Sequence, residues 1–323
     1  MPKRSQGKLA VVIPCFKVKA TIIEVIKSIG PEVSKIYIVD DACPDGTGAH
    51  VKKYARDKRI TILFNEKNLG VGGAVLQGYK KAIEDKCEIV VKLDGDAQMD
   101  GADIPRLIRP IQEGLADYVK GNRFDTLESL EQMPRVRIFG NAALSFLSKF
   151  SSGYWNITDP TNGFTAIHRS VLRDLPLGKV NKGYFFESDM LFRLSVMKAV
   201  VQDMPMHSRY GEEKSNLKIR KVLPHFLHRH FVNFHKRVFY TYYLREINIA
   251  SLELPVGLVS LLSGLVYGFD KLMESFDGQV TTSGEVMLGA VPIILGIQLL
   301  LAFISYDITN MPKIARQSQV ADA

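Results

Sequence analysis

Short apolar stretches alternate with segments of helical spacing along the first hundred residues. The stretches are rich in β-branched residues, which favours buried parallel strands over helices. They cover residues 9–16, 34–39, 60–64 and 89–93. Residues 21–29, between the first two stretches, carry isoleucines at the spacing of one helix face. The alternation predicts an α/β fold built on a doubly wound, mostly parallel sheet.

Two much longer apolar runs follow towards the C-terminal side of the sequence. Residues 248–269 and 286–306 each hold about twenty mostly apolar residues, which is enough to span a bilayer. Glu253 and Pro255 interrupt only the beginning of the first run. We therefore expect two transmembrane helices rather than two buried helices of a soluble domain.

The segment at 216–247, directly before the first long run, mixes basic and aromatic side chains. Such a mixture could bind nucleic acid. Its position beside an apolar run instead favours amphipathic helices in the headgroup region, attracted to anionic lipids. The segment also contains four histidines without Cys or carboxylate partners at zinc-ligand spacing, so we expect interfacial packing rather than a zinc site. These are His225, His228, His230 and His235.

Carboxylates follow directly after the fourth apolar stretch. Residues 89–100 read IVVKLDGDAQMD, so Asp94, Asp96, Gln98 and Asp100 come just past the end of the predicted strand. Ligands of open α/β sheets gather at this edge, and hard oxygen donors suit Mg²⁺ or Mn²⁺. The alternative is a solvated acidic turn in which Asp100 or Asp103 caps the next helix.

Glycines open the helix that follows the third strand. Residues 68–78 read NLGVGGAVLQG. A dinucleotide fingerprint would need glycine where Val75 stands and would follow the first strand, which argues against a nicotinamide dehydrogenase. The glycines could simply allow close packing on the sheet, or could let backbone N–H groups approach a phosphate or sugar.

Four motifs in one order carry a family resemblance. They are VVIPCF at the first strand, DDACPDGT after the second, NLGVGGA after the third and LDGDAQ after the fourth. Together they resemble the nucleotide-sugar-binding half of glycosyltransferase family two, which has the GT-A fold. The resemblance covers roughly residues 9–210. It departs at Lys17 and Val18, where the family commonly has Asn-Glu.

This resemblance implies a donor site with two parts. The nucleotide would be bound by Pro14, Phe16, Asp41, Asp45, Asn68, Asp94, Gly95 and Lys182. The diphosphate and a divalent cation, Mg²⁺ or Mn²⁺, would lie at Asp94 and Asp96, with Gln98 as a further metal ligand.

The second half of the domain resembles one branch of that family, the polyprenyl-phosphate glycosyltransferases of the dolichyl-phosphate mannose synthase group. The motifs are GNRFD at 121–125, DPTNGF at 159–164, GYFFESD at 183–189 and RYGEEKS at 209–215. The resemblance implies that Asp159 lies beside the acceptor, where it orients the phosphate or takes a residual proton. It also implies a set of side chains that bind acceptor or donor phosphates, namely Arg123, Arg137, Asn141, Arg209 and Lys214.

The sequence divides into a catalytic domain at 1–215, juxtamembrane helices at 216–247, a transmembrane hairpin at 248–310 and a tail at 311–323. Basic residues flank the hairpin on both outer sides, whereas its connection carries Lys271 alone. The positive-inside rule then predicts that the catalytic domain and both termini are cytoplasmic at the cell (inner) membrane. Three widely spaced cysteines without a CxxC motif fit a reducing compartment.

We therefore expect an enzyme that transfers a hexose, with inversion, from a nucleotide diphosphate sugar to a polyprenyl phosphate. A UDP-glucose-like donor is favoured. GDP-mannose is the alternative, because Asp41 could accept hydrogen bonds from uracil or guanine. A processive polysaccharide synthase would carry a Gln-x-x-Arg-Trp motif, and the only tryptophan, Trp155, does not stand in one. Intact Asp94, Asp96 and Asp159 argue against a non-catalytic membrane scaffold. The sequence is compatible with a monomer or a homo-oligomer.

Overall fold

The computed structural model of the protein describes residues 7–125, 135–206 and 219–321, with residues 135–137, 219–222 and 320–321 described by their backbone alone. Tertiary contacts divide the chain into two compact units. The first contains Met1–Phe234 and Pro312–Ala323, and the second contains His235–Met311.

One sheet forms the centre of the first unit. Its described strands are β1 (Leu9–Cys15), β2 (Lys35–Asp40), β3 (Ile60–Phe64), β4 (Ile89–Lys92), β5 (Tyr118–Asn122), β6 (Thr165–His168) and β7 (Val201–Pro205). Their order is β3-β2-β1-β4-β6-β5-β7. Strand β6 is antiparallel to both neighbours, and all other pairs are parallel. The prediction of a doubly wound, mostly parallel sheet is confirmed.

Helices lie between consecutive strands along the chain, and one further helix follows β7. In chain order they are α1 (Ile22–Ser28), α2 (Thr47–Tyr54), α3 (Val71–Glu84), α4 (Ile104–Gln112), α5 (Arg135–Ser152), α6 (Arg169–Asp174), α7 (Phe186–Val196) and α8 (Ile219–Val238). Two short 3-10 turns lie at Gly101–Asp103 and Leu177–Lys179. A π-helical turn at Phe239–Arg245 follows α8.

The central strands bury side chains on both faces of the sheet. Val11 and Val91 belong to one apolar cluster, and Val12 and Val90 belong to the cluster on the opposite face. Neighbouring positions of a strand point to opposite faces. Because both faces are covered, these strands read in the sequence as continuous apolar runs, without the alternation of a half-exposed strand.

Two long helices make up most of the second unit, α9 (Ile249–Phe276) and α10 (Ser283–Thr309). They are 28 and 27 residues long, and both are apolar enough to cross a membrane. At about 1.5 Å per residue, each is longer than the roughly 30 Å hydrocarbon core of a bilayer. They pack closely: a Cβ added at Gly296 would lie only 2.6 Å from the backbone nitrogen of Leu261. Small residues allow this kind of approach between membrane helices.

A buried ion pair joins the start and the end of the second unit. The Arg237 guanidinium donates to both carboxylate oxygens of Asp307, at 2.6 and 3.0 Å. The hydroxyl of Tyr242 donates to the same carboxylate at 2.5 Å. Each added donor offsets part of the cost of burying this charge.

Residues 312–321 return to the first unit after the hairpin and end in α11 (Arg316–Ala321). The sequence alone predicts a tail here. In the structure Ala315 is buried in the core of the first unit, and the backbone N–H groups of Arg316 and Gln317 donate to the Asp117 carboxylate at 2.9 and 3.0 Å. Both ends of the hairpin are therefore joined to the same unit.

Candidate active site

The candidate site lies at one edge of the sheet. Strands β1, β2 and β4 are parallel, so the residues that follow them meet at their carboxyl ends. Strand β5 runs in the same direction as β4, because both are antiparallel to β6. The loop that enters β6 therefore reaches this edge as well. The topology brings together the turns after β2, β4 and β5 and the loop before β6.

The turn after β2 is held by buried carboxylates. Asp41 accepts hydrogen bonds from the Asn65 side chain at 2.7 Å, from the Leu69 N–H at 2.9 Å and from the Gly70 N–H at 2.9 Å. Both of its oxygens are thus used to fix the loop that opens α3. Asp41 is 2 % exposed, so in this geometry it holds the loop before α3 from a buried position.

The other predicted nucleotide residues lie around these turns. Phe16 is exposed at the end of β1 next to buried Pro14, and Asp45 is exposed in the turn after β2. Asn68 is exposed and caps the Gly70 N–H at 2.9 Å. Lys182 is exposed on the loop before α7, and its carbonyl oxygen accepts the Gly73 N–H at 3.0 Å.

The turn after β4 carries Asp94 and Asp96. Asp94 forms an ion pair with a buried lysine: the Lys92 ammonium lies 2.8 Å from an Asp94 carboxylate oxygen and 3.0 Å from a Glu187 carboxylate oxygen. Burial opposes the charge of Lys92, but the two carboxylates outweigh it and raise the pKa of Lys92 above its ordinary value. Lys92 therefore stays charged and fixes one oxygen of Asp94.

Asp96 and Gln98 follow Asp94 in the same turn, where Asp96 contacts the backbone of the turn. Both are half-buried, and Asp96 accepts the Gln98 N–H at 3.1 Å. Within the described residues, no three His, Cys, Asp or Glu side chains lie close enough to hold a metal on their own. A carboxylate and an amide oxygen fit a divalent cation that takes its other ligands from substrate phosphate and water, as Mg²⁺ commonly does.

Arg123 and Asp159 form a second charged centre, at the end of β5 and in the loop before β6. The Arg123 guanidinium donates to both Asp159 oxygens, at 2.7 and 2.9 Å, and its backbone N–H adds a contact at 3.3 Å. The Asn162 amide donates to the same carboxylate at 3.2 Å. Asp159 is fully buried. Its carboxylate is occupied in orienting Arg123.

The two charged centres are close to each other. A Cβ added at Gly163, in the loop before β6, would lie 1.9 Å from an Asp94 carboxylate oxygen. Only glycine leaves room for Asp94 at this point. The loop that carries Asp159 therefore packs directly against the turn after β4.

The other predicted phosphate-binding residues lie on α5 or outside the described residues. Asn141 is half-buried on α5. Arg137 lies on the same helix, in the part described by its backbone alone, and Arg209 and Lys214 lie outside the described residues.

Sequence reasoning missed the buried charges beneath the site. Lys92 and Lys120 are 1 % and 0 % exposed, although both stand in otherwise apolar strands, IVVK and YVKGN. A lysine within a buried strand was the available signal, because a buried ammonium needs carboxylate or carbonyl partners. Its partners, such as Glu187 on α7, depend on the tertiary structure.

Known proteins similar to this chain include several lipid-phosphate glycosyltransferases. A dolichyl-phosphate N-acetylglucosaminyltransferase of Methanococcus voltae, which its name links to UDP-N-acetylglucosamine, is 29% identical over 62% of this chain and 85% of its own. An undecaprenyl-phosphate mannosyltransferase of Micrococcus luteus is 30% identical over 56% of this chain and 75% of its own. A polyprenol monophosphomannose synthase of Mycolicibacterium smegmatis is 27% identical over 59% and 73%.

Solved structures share the fold. Glucosyl-3-phosphoglycerate synthase of Mycobacterium tuberculosis, crystallised with Mn²⁺, UDP and glucosyl-3-phosphoglycerate, superposes with a TM-score of 0.54. The match covers 72% of this chain and 80% of that one at 19% identity. The family model for glycosyl transferase family 2 matches residues 10–176, which contain the turns after β2 and β4 and the Arg123–Asp159 pair. The chain belongs to glycosyl transferase family 2.

Proposed function

We propose that the protein transfers a hexose from a nucleotide diphosphate sugar to a polyprenyl phosphate at a membrane surface. One observation carries the proposal: the turn with Asp94 and Asp96 packs against the loop that holds the Arg123–Asp159 pair, in a chain that also has two candidate membrane spans. A site for an anionic donor thus adjoins a cationic side chain suited to an anionic lipid acceptor. The names of the relatives support the same acceptor class.

The acceptor phosphate supplies the nucleophile. A phosphate monoester has a second pKa of about 6, so at neutral pH it is mostly ionised and needs no strong base. Asp159 is buried and bound bidentately by Arg123, which suits orientation of the guanidinium better than proton transfer. Arg123 then binds the acceptor phosphate and offsets its repulsion from the donor diphosphate. Attack from the side opposite the leaving diphosphate inverts the anomeric carbon.

Asp96 and Gln98 would hold the divalent cation, Mg²⁺ or Mn²⁺. When bound, such an ion supplies Lewis-acid stabilisation of the charge that develops on the leaving diphosphate. Asp94, with one oxygen fixed by Lys92 at 2.8 Å, binds the nucleotide side of the same turn. Pro14, Phe16, Asp45, Asn68 and Lys182 complete the donor site around it.

We propose a uridine nucleotide as the donor, with glucose or a related hexose. The Methanococcus voltae relative, whose name contains a UDP sugar, supports the uridine base. GDP-mannose is the second candidate, because two relatives are named as mannose-transferring enzymes. Direct competition between the two donors for one enzyme preparation decides between them.

The proposed location is the cytoplasmic face of the cell (inner) membrane, with both termini cytoplasmic. The hairpin leaves from and returns to the first unit, which supports an even number of crossings. Helix α8 exposes Leu223, Leu227 and Phe231 at intervals of four residues, and Arg229 is exposed on the same helix. Such a face fits the boundary between headgroups and acyl chains, where anionic lipids attract the basic side chains.

Purified enzyme in detergent tests the proposal. It is incubated with UDP-glucose, UDP-N-acetylglucosamine or GDP-mannose, each with undecaprenyl or dolichyl phosphate, and the lipid products are separated by chromatography. We expect one donor to give a lipid-phosphate sugar and Asp96→Ala to give none. Sugar transfer to a soluble acceptor only, or release as free sugar only, would contradict the proposed acceptor.

A further inference from the structure

Four polar side chains form one continuous row across the sheet, directly beneath the site. Thr165 on β6 pairs in register with Lys92 on β4 and with Lys120 on β5, and Lys120 pairs with Asp203 on β7. The positions two residues away on the same face are apolar and belong to one core cluster. They are Val90, Ile167, Tyr118 and Val201. The row therefore marks where the core of this face ends and the site begins.

Two members of the row hold the loop that carries Asp159. The Asp203 carboxylate accepts the Thr158 N–H at 2.8 Å. The Lys120 ammonium donates to the carbonyl oxygen of Asn162. These contacts fix the two ends of loop 158–162, and Asp159 lies between them with Arg123 on its carboxylate.

We propose that Lys120 and Asp203 are positioning residues for the acceptor: they hold loop 158–162 and thereby set the place of the Arg123 guanidinium. This inference rests on the proposed function, because it takes Arg123 as the contact to the acceptor phosphate. Neither residue touches substrate in this arrangement. They act through Asp159.

The hold of Asp203 on the loop is sensitive to pH. Burial raises the pKa of Asp203 to about 7, and burial lowers the pKa of Lys120 to about 8. The charged groups that act on Asp203 are Lys120 on β5, Asp159 in the loop and Lys149 on α5; Lys120 in addition faces Glu187 on α7 and Lys92 on β4.

Protonation of Asp203 removes the charge from the carboxylate that accepts the Thr158 N–H. Hydrogen bonds to a charged group are stronger than those to a neutral one. One Asp203 oxygen is buried and has no hydrogen-bond partner within the described residues, so it can take the proton without breaking a contact. The Asp203 contact to the loop is therefore stronger above pH 7 than below it.

Asp203→Asn tests this without changing the shape of the site. The amide oxygen can still accept the Thr158 N–H, but the side chain no longer titrates. At pH 8 we expect kcat/KM for the polyprenyl phosphate to fall about fivefold relative to wild type, and at pH 6, where Asp203 is itself neutral, less than about twofold. The ratio between the two enzymes cancels the titration of the acceptor. The donor KM should be unchanged in both.

Trp155 gives a readout that does not depend on the acceptor. It is the only tryptophan in the chain and lies just before the loop, where its carbonyl oxygen is bound by Lys149. The fluorescence of Trp155 should change between pH 6 and pH 8, with a midpoint at about 7, in wild type. It should stay constant over this range in Asp203→Asn. A pH-independent wild-type signal together with a pH-independent activity ratio would overturn the inference.

Lys120→Met and Thr165→Val form a matched pair in the same row. Lys120→Met removes the donor to Asn162, and we expect the acceptor KM to rise about tenfold while UDP affinity stays within about twofold. Thr165→Val, at the position between Lys92 and Lys120 in the row, should leave both constants unchanged. Equal losses in donor and acceptor constants, in step with a lower Tm, would show a merely structural role.

These experiments distinguish failure of the proposed function from failure of the positioning role. Without any transfer to polyprenyl phosphate by wild type, the proposed function fails, and the acceptor inference falls with it. With normal wild-type transfer and an unchanged Asp203→Asn enzyme, only the positioning role fails. Where Lys120→Met does not fold, Asp203→Asn still decides.

Discussion

The backbone N–H of Gln317 donates to the Asp117 carboxylate at 3.0 Å, although 200 residues and two candidate membrane spans separate them along the chain. Asp117 is fully buried and also accepts the N–H groups of Val200 and Arg316, each at 2.9 Å. The Gln317 side chain donates in turn to the carbonyl oxygens of Ile111 and Ala116. One carboxylate thus joins the start of β5, the start of β7 and residues 316–317.

Asp117→Asn should destabilise the protein. The amide has one acceptor oxygen in place of two, and its NH₂ group would face N–H donors, so at least one buried donor loses its partner at a cost of about 1–3 kcal/mol. For a unit of this size we expect a Tm lower by about 2–12 °C, measured by thermal unfolding in detergent. Gln317→Ala should give a smaller loss in the same direction. An unchanged Tm for both variants would show that residues 316–317 contribute little to stability.

Asp96→Ala should weaken metal-dependent donor binding. If Asp96 is a ligand, UDP should bind wild type more tightly with Mg²⁺ or Mn²⁺ than with chelator, and the variant should lose this difference. Calorimetric titration with UDP measures it without turnover. Asp100→Asn is the control, because Asp100 caps the Ala102 N–H at the following 3-10 turn. Full wild-type activity in excess chelator would contradict the metal assignment.

Asp159→Asn should lower acceptor use by about tenfold or more, because the second anionic oxygen of the Arg123 pair is lost. Since we assign the carboxylate to orientation, raising the pH from 6.5 to 8.5 should not bring the kcat/KM of the variant closer to that of wild type. Rescue of the variant at high pH would instead identify Asp159 as the group that removes the last acceptor proton.

Arg123→Lys separates charge from geometry at the same pair. Lysine keeps the positive charge but cannot form the two parallel hydrogen bonds to Asp159. We expect the acceptor KM to rise and the donor KM to stay near the wild-type value. A raised donor KM with normal acceptor kinetics would move Arg123 to the nucleotide site.

His230 should make stability depend on pH. Burial lowers its pKa to about 4, and its ring accepts or donates a hydrogen bond with the Ser151 hydroxyl at 2.7 Å. An unfolded histidine has a pKa of about 6.5, so between about pH 6.5 and pH 4 the unfolded chain takes up a proton that the folded protein refuses. Stability is therefore full above pH 6.5 and falls as pH drops, by up to about 3 kcal/mol at pH 4.

The measurement is Tm as a function of pH in detergent. His230→Gln should have a lower Tm at pH 8 and a weaker fall towards pH 4.5. His228→Gln, at an exposed position on the same helix, should follow wild type. If His230→Gln keeps the full wild-type pH dependence, other groups cause it.

The sequence predicted the first four strands and the acidic turn after β4 because both are local. Buried parallel strands appear as short β-branched runs, and Asp94 and Asp96 follow one of them directly. Strand β6 was not predicted, because Thr165–His168 is only four residues long and its reversed direction depends on its neighbours. The reversed direction of β6 brings the Asp159 loop to the carboxyl ends of the parallel strands.

Other features could not be predicted because they depend on register and tertiary contact. The pairing of Lys120 with Asp203 exists only once β5 lies beside β7. Asp159 is buried and paired with Arg123, and the motif alone could not show whether this carboxylate is exposed or buried. Likewise, nothing in residues 311–323 predicted the contact with Asp117.

The return of residues 312–321 has a consequence for how the protein is made. During synthesis, the segment up to Pro205 is translated before either long apolar helix, and its Asp117 carboxylate then has two of its three backbone partners still missing. Those partners appear only after both helices have been made. Completion of the first unit is thereby coupled to translation of both long helices, so a chain that ends before residue 316 leaves two donors to this buried carboxylate missing.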